Sequence, residues 1–306
     1  MSGAEPTSEP GARTPVLHRL ATRVGEAEGL DKPVEAVAGV VTKALKAGRL
    51  KDILSGTFLG HPLHPLLTDL PIGTWTSALL LDVVGGRESE TAARRLIGAG
   101  IVAALPTAAS GYSDFADTTK SDPPAGRIGL VHASANVAAL SLFSLSYLRR
   151  RRGRGGRRFA LAGAGALAVG GHLGGHLAYE EGVGVARTVF EDPSRDWTDC
   201  LAEAELREGE PLCVQAGGVA LLLVRQHGRL YALSNTCTHR GGPLHRGSLE
   251  DGRITCPWHK SSFRLADGSV QRGPATAPQP VYETRVRAGR IEVRPAGLPD
   301  EPTTVH

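Results

Sequence analysis

Cysteine is scarce in this chain, with four residues in 306. That is too few for a disulfide-stapled scaffold. Aromatic residues make up only 5% of the chain and there is a single methionine, while glycine (39 residues) and alanine are abundant. Such a composition lowers the average hydropathy of any membrane helix, so a mean hydropathy of −0.12 does not make the chain soluble. A large excess of either charge is also lacking. The net charge is +4, and most of it comes from one Arg-rich run, so no nucleic-acid partner is expected. The first thirty residues (MSGAEPTSEPGARTPVLHRL…) hold no apolar core, which excludes a cleavable signal peptide. There is no nucleotide fingerprint and no mononuclear iron site, so oxygenase activity is not assigned to the chain.

What is present divides into two halves. Residues 1–30 read as a disordered tail. Residues 31–56 read as an amphipathic helix, because DKPVEAVAGVVTKALKAGRLKDIL places apolar residues at helical spacing with lysines between them. Residues 57–182 contain four apolar stretches. Leu63 to Val84 is interrupted by Asp69 and Asp82. Leu96 to Ser113 is uncharged, with a kink expected at Pro106. Ile128 to Leu148 and Phe159 to Tyr179 are uncharged throughout. The three uncharged runs of 18 to 21 residues match the roughly 20 needed to cross a hydrocarbon core. The alternative is four buried helices of a soluble bundle. Against it, the last two stretches have no polar face and flank RRRRGRGGRR. The fourth is rich in small residues (GAGALAVGGHLGGHLA), which allows close helix packing in lipid.

Residues 183–198 read as a linker. Over residues 199–296 the pattern becomes alternating and β-branched. LCVQA, VALLLVRQ and RLYALS are joined by Gly217-Gly218 and His227-Gly228, and TRVR and IEVR by Ala288-Gly289. This predicts a small antiparallel β domain, followed by a tail over 297–306. The expected fold class is therefore multidomain: an all-α four-helix transmembrane bundle, then an all-β domain.

The β half carries the chemistry. Cys237-x-His239, a sixteen-residue gap and Cys256-x-x-His259 closely resemble the Rieske 2Fe–2S motif. The likeness extends to Gly241, Pro243, Leu244, Pro257-Trp258 and the later GPATAPQPVY. It implies that Cys237 and Cys256 hold one iron and that His239 and His259 hold the other. Exchanging two thiolates for neutral imidazoles makes the electron easier to accept, and each free imidazole nitrogen can couple it to a proton. A zinc site of two Cys and two His is the alternative, but zinc knuckles usually present C-x-x-C. Cys200 and Cys213 lie outside the motif and read as core thiols, with a bridge between them left open.

Departures from the family pattern set the expected potential. Quinol-oxidising Rieske proteins carry a further cysteine in each loop, and the resemblance places Gly242 and Trp258 there. Ser261 holds the place of a serine that bonds a bridging sulfide, and Phe263 that of a tyrosine donor. Fewer donors around the sulfurs lower the potential. A low-potential, ferredoxin-like centre is expected, towards about −150 mV. Lys260 replaces the usual glycine and could raise the potential somewhat or attract an acidic partner.

In the first half, GHPLHPLLTDLPIGTW (Gly60 to Trp75) resembles the opening of an uncharacterised bacterial family of four-helix membrane domains, often fused to a C-terminal Rieske domain. The resemblance implies a membrane location and no established activity. Five histidines fall at one membrane face of such a bundle: His61, His64, His132, His172 and His176. Asp69, Asp114 and Asp117 lie near the same face. Ionisable residues in a span default to function. Three readings fit these histidines: haem b held by a pair of them, a quinol or quinone site, or plain capping and loop bonding.

Arg149 to Arg152, Arg154, Arg157 and Arg158 crowd one loop, and Arg87, Arg94 and Arg95 another. The positive-inside rule then puts both termini and the Rieske domain outside, against Lys43, Lys46, Arg49 and Lys51 before the first stretch. Arg157-Arg158-Phe159 resembles a twin-arginine signal for folded export. The expected protein is a multi-pass cell-membrane electron carrier, one component of an oxidoreductase system, working between the bilayer (a quinol or haem) and a soluble redox partner protein. A membrane-tethered ferredoxin component of an oxygenase and a non-enzymatic redox sensor are the alternatives.

Overall fold

The computed structural model describes residues 15–297. The N-terminal half is helical throughout. Helix α1 (Val16–Gly25) occupies part of the stretch read above as a disordered tail. Val16, Leu17, Leu20, Ala21 and Val24 recur at helical spacing. Ala21 packs with Ile128 and Leu173, and the missing side chain at Gly25 lets Ile128 approach. Residues 1–14 and 298–306 lie outside the described part. The single amphipathic helix expected over 31–56 is two helices, α2 (Asp31–Ala44) and α3 (Arg49–Ser55). The break at Leu45, where the backbone leaves helical geometry, turns α3 so that Lys51 points inward.

Four long helices follow: α4 (Leu63–Val84), α5 (Glu90–Ser121), α6 (Pro123–Arg151) and α7 (Arg157–Tyr179). They meet in the order of the sequence, α4 on α5, α5 on α6 and α6 on α7. Their common core stacks Trp75 on Phe143 at 4.3 Å, and the Trp75 indole N–H donates to Ile97 O at 3.2 Å. Small residues permit these approaches. A Cβ on Gly100 would lie 2.3 Å from the indole nitrogen, and one on Gly163 would lie 3.0 Å from the Phe143 ring. Asp82, an apparent flaw in an apolar stretch, is paired: Arg150 Nη1 donates to its Oδ1 at 2.8 Å, with both side chains buried.

Two expectations change here. Helix α5 passes through Pro106 and runs on to Ser121, so Asp114 and Asp117 lie on the helix rather than after it. Of the four expected spans, α5 and α6 are long and apolar enough to cross a membrane. By the same measure α4 and α7 fall short: α4 is interrupted by Asp69 and Asp82, and α7, uncharged from Phe159 onward, is diluted by glycine and histidine.

The C-terminal half is all-β. A six-stranded antiparallel sheet is ordered β1 (Thr198–Ala202), β10 (Arg290–Pro295), β9 (Val281–Arg287), β4 (Arg229–Ser234), β3 (Val219–Gln226), β2 (Leu212–Ala216). The expected two-residue turns are all present. His227-Gly228 and Ala288-Gly289 have positive φ at both positions, the backbone that matches strand twist in a tight hairpin. A second, four-stranded sheet runs β5 (Ser248–Glu250), β6 (Arg253–Thr255), β7 (Ser262–Arg264), β8 (Val270–Arg272). Its loops, with the β4–β5 connection, carry the Cys/His pairs. Leu222, Leu233, Leu244, Ile254 and Phe263 form the core beneath them.

Candidate metal centre

The two loops are built alike. Cys237 N donates to Gly242 O at 3.0 Å and Gly241 N to Cys237 O at 2.8 Å. In the other loop Cys256 N donates to Ser261 O at 2.7 Å and Lys260 N to Cys256 O at 3.2 Å. Each is a closed turn of six residues that opens on the cysteine. The fifth residue is left-handed in both, Gly241 at φ +79° and Lys260 at φ +67°. That conformation is why glycine suits the position now held by Lys260.

The turns bring the four side chains together as two pairs. The Cys237 and Cys256 thiols are buried and hydrogen-bonded to one another, and the imidazoles of His239 and His259 meet edge to face, 5.0 Å between centres. Among the described residues no three His, Cys, Asp or Glu side chains converge on a single ion position. Paired donors suit two metal ions better than one tetrahedral zinc. One buried nitrogen on each ring, His239 Nδ1 and His259 Nε2, has no hydrogen-bond partner. Buried polar atoms left unpaired are rare and ask for a missing ligand. The donors therefore fit a two-iron cluster. The hydrogen bond to Cys256, then burial, pushes Cys237 well up, while that bond draws Cys256 down to about 7. Burial, then the neighbouring His259, holds His239 well below the usual imidazole range, so its ring is neutral as a metal donor must be.

Surrounding residues fix the turns. Ser261 is fully buried, and its hydroxyl oxygen accepts from Ala275 N at 2.9 Å, which leaves its own proton free to donate. Gln279 clamps the first loop. Its amide nitrogen donates to Ser234 O (2.8 Å) and Thr236 O (2.6 Å), and its oxygen accepts from Thr238 N at 3.2 Å. A Cβ on Gly242 would lie 2.7 Å from Cys256 Sγ and 3.1 Å from the Trp258 ring, so an extra cysteine has no room there. All four cysteines are free thiols, which removes the Cys200–Cys213 bridge left open above.

One partner of the site comes from the helical half, and the sequence reading missed it. His239 Nε2 lies 3.7 Å from Asp117 Oδ2 on α5. Lys51 of α3 pairs with that carboxylate at 2.8 Å and donates to Ser113 O (2.8 Å) and Ser113 Oγ (2.9 Å). Beside them Arg240 Nε donates to Ser121 Oγ at 3.2 Å and Thr57 Oγ1 to Ala275 O at 3.3 Å. The usable signal was Asp114-x-x-Asp117 ending an apolar helix. Lys51 and Arg240 gave none.

The five expected histidines do not form one cluster. His64 and His132 pair at 6.3 Å between ring centres. His176 is buried beside His18 at 5.4 Å, whereas His61 and His172 are exposed.

Fold and site together define an iron–sulfur electron-transfer domain joined to a helical membrane-type domain. The comparisons with known proteins make this specific. Residues 196–283 match the Rieske 2Fe–2S domain, and residues 60–187 match a family described as a predicted membrane protein, DUF2231. The ferredoxin component of the naphthalene 1,2-dioxygenase system of Pseudomonas aeruginosa is 32% identical over 32% of this chain and 93% of its own length. The anthranilate 1,2-dioxygenase ferredoxin subunit of Burkholderia cepacia is likewise 32% identical, over 32% of this chain and 91% of its own. Apoptosis-inducing factor 3 of Homo sapiens is 31% identical over 31% of this chain, which spans only 17% of that protein. The ferredoxin of carbazole 1,9a-dioxygenase from Nocardioides aromaticivorans IC177 has a solved structure with 27% identity, covering 32% of this chain and 97% of its own, at a TM-score of 0.31. The chain belongs to the Rieske 2Fe–2S family, with its membrane-protein domain placed N-terminal to the cluster domain.

Proposed function

We propose that this protein is a membrane-anchored Rieske electron carrier of low potential, exchanging single electrons between its helical half and a soluble partner. In this reading Cys237 and Cys256 hold one iron, His239 and His259 hold the other, and Ser261 donates its hydroxyl proton to the cluster. The bound cluster supplies one-electron redox chemistry.

The observation that carries the proposal is the 3.7 Å approach of His239 Nε2 to Asp117 Oδ2. A ligating imidazole is typically oriented by a carboxylate on its far nitrogen. Here that carboxylate belongs to the other domain. At that distance the contact is an ion-pair approach, not a hydrogen bond, and it biases the orientation and charge of the ring. The second histidine is largely buried, but its sequence neighbour Trp258 is not. His259 packs 6.4 Å from the Trp258 ring, and Trp258 is 47% exposed, which gives a soluble partner an apolar landing point.

A four-span, multi-pass arrangement is supported by the apolar side chains on the outer faces of the bundle, among them Leu80, Val102, Leu105, Val137, Leu161 and Val169. With the Arg-rich α6–α7 loop cytoplasmic, the β domain lies outside. Phe263 and the absence of loop cysteines support a potential near the low end of the family range. The names of the relatives favour a second reading, a membrane-tethered ferredoxin that serves an oxygenase, in which the partner at Trp258 is the oxygenase.

Reduced, detergent-purified protein should give the rhombic EPR signal of a Rieske centre, and His239→Cys should alter it. A colourless preparation loaded with zinc would sink the proposal. Reduction that depends wholly on an added flavin reductase, with nothing in the helical half needed, would select the second reading.

A further inference from the structure

We infer that His64 and His132 form a second metal seat in the helical half, a pair of axial imidazoles for one haem iron. The two rings stand on different helices, α4 and α6, with centres 6.3 Å apart and planes at 81°. With metal–nitrogen bonds of about 2.0–2.1 Å and a ring centre about 1.1 Å behind each nitrogen, two imidazoles on opposite sides of one ion stand about 6.3 Å apart. The observed spacing and the near-perpendicular planes are compatible with a shared ion.

The hydrogen bonds point the same way. His64 Nδ1 lies 2.9 Å from Thr107 O, and His132 Nδ1 lies 2.8 Å from Gly170 O. A carbonyl only accepts, so each Nδ1 carries the proton and each Nε2 keeps its lone pair. Donation of the far N–H to a backbone carbonyl is how ligating histidines are held. Ser110 Oγ, 3.3 Å from His64 Nδ1, donates to Thr107 O. Asn136 Nδ2 gives one proton to His132 O at 2.9 Å, and its second has only a long 3.4 Å approach to the His132 ring nitrogens, a weak competitor for the Nε2 lone pair. Glycine clears the space for both rings. A Cβ on Gly111 would lie 2.6 Å from His64 Cε1, and one on Gly174 would lie 3.1 Å from His132 Cε1.

Haem fits this donor set better than a bare ion does. Among the described residues no third His, Cys, Asp or Glu joins the pair. A bare ion normally takes three or four protein donors, whereas a porphyrin brings four nitrogens of its own and asks the protein only for the axial pair. The place also suits electron exchange. From Gly111, beside His64, to Asp117, beside His239, is six residues of α5, about 9 Å at 1.5 Å per residue. An electron lost by ferrous haem iron, which becomes ferric, is then the one gained by the oxidised cluster. Only that destination rests on the Rieske proposal, and the haem seat stands without it.

The test is haemin titration of the full chain in detergent, read by the Soret band and by low-spin ferric EPR, with the cluster signal recorded on the same samples. One haem per chain with a low-spin spectrum is expected. His64→Ala and His132→Ala should each lower binding at least tenfold while the Rieske signal persists, which reports that the chain is folded. His132→Met should retain haem but with a changed axial-ligand spectrum, an effect that a merely structural histidine would not produce. Absence of stoichiometric binding, a spectrum unchanged in all three variants, or saturation by bare zinc in place of haem would each overturn the inference. Loss of the Rieske signal with haem binding intact would instead count against the cluster proposal alone.

Discussion

At the scale of single residues, Asp117 has the most to reveal. With His239 on iron as proposed, a carboxylate beside its outer nitrogen would make that ring a stronger donor, favour the oxidised iron and lower the potential. Asp117→Asn removes the charge and keeps the shape, so the midpoint should rise by tens of millivolts, about 59 mV being a tenfold change in a one-electron equilibrium. A redox titration of the membrane-embedded chain checks the sign. Lys260 gives an independent test. Its φ of +67° is a left-handed conformation that costs a side chain about 1–2 kcal/mol, so Lys260→Gly should stabilise the domain by about 1 kcal/mol. Heating followed at the cluster's visible absorbance would record the gain as later bleaching. Both cysteine–histidine pairs were legible in the sequence because their spacing is local and each loop closes on itself. Asp117 was legible only as an acid near a membrane face. Its partner lies 122 residues away, and no periodicity announces a contact between domains.

At the scale of elements, the strands read most clearly. VALLLVRQ and RLYALS are β3 and β4 residue for residue, because alternation and a two-residue turn with positive φ fix both ends. The four short strands of the second sheet carry three residues each, too few for any alternation to show. Among the helices, Asp82 looked like a defect in a span until its partner was seen. The pair with Arg150 is buried at both ends, which takes one arginine out of the loop charge and pins α4 to α6. Arg150→Ala leaves Asp82 buried and unpaired and should destabilise the bundle by about 3–5 kcal/mol, whereas a double variant with Asp82→Leu should recover much of that loss. Unfolding in detergent, followed by circular dichroism, separates the two outcomes. Helix α1 was missed because a polar, Pro- and Gly-bearing start masked a short apolar stripe, which packs on Ile128 and Leu173.

At the scale of the whole molecule, the two halves meet at the cluster loops. Lys51, Asp117, Arg240 and Thr57 tie them together, so His239 meets a carboxylate of the helical half while Trp258, next to His259, lies exposed. An electron carrier needs two such outlets, and the fold provides one from each domain. The measurement that goes most directly to this account is pulsed EPR on the reduced full-length chain in lipid bilayers, which resolves nitrogen nuclei coupled to the iron spin. Two imidazole nitrogens on a rhombic signal are expected, both coupled in the wild-type chain and one of them shifted by Asp117→Asn. A signal with no nitrogen coupling, or two couplings untouched by Asp117→Asn, would contradict the account.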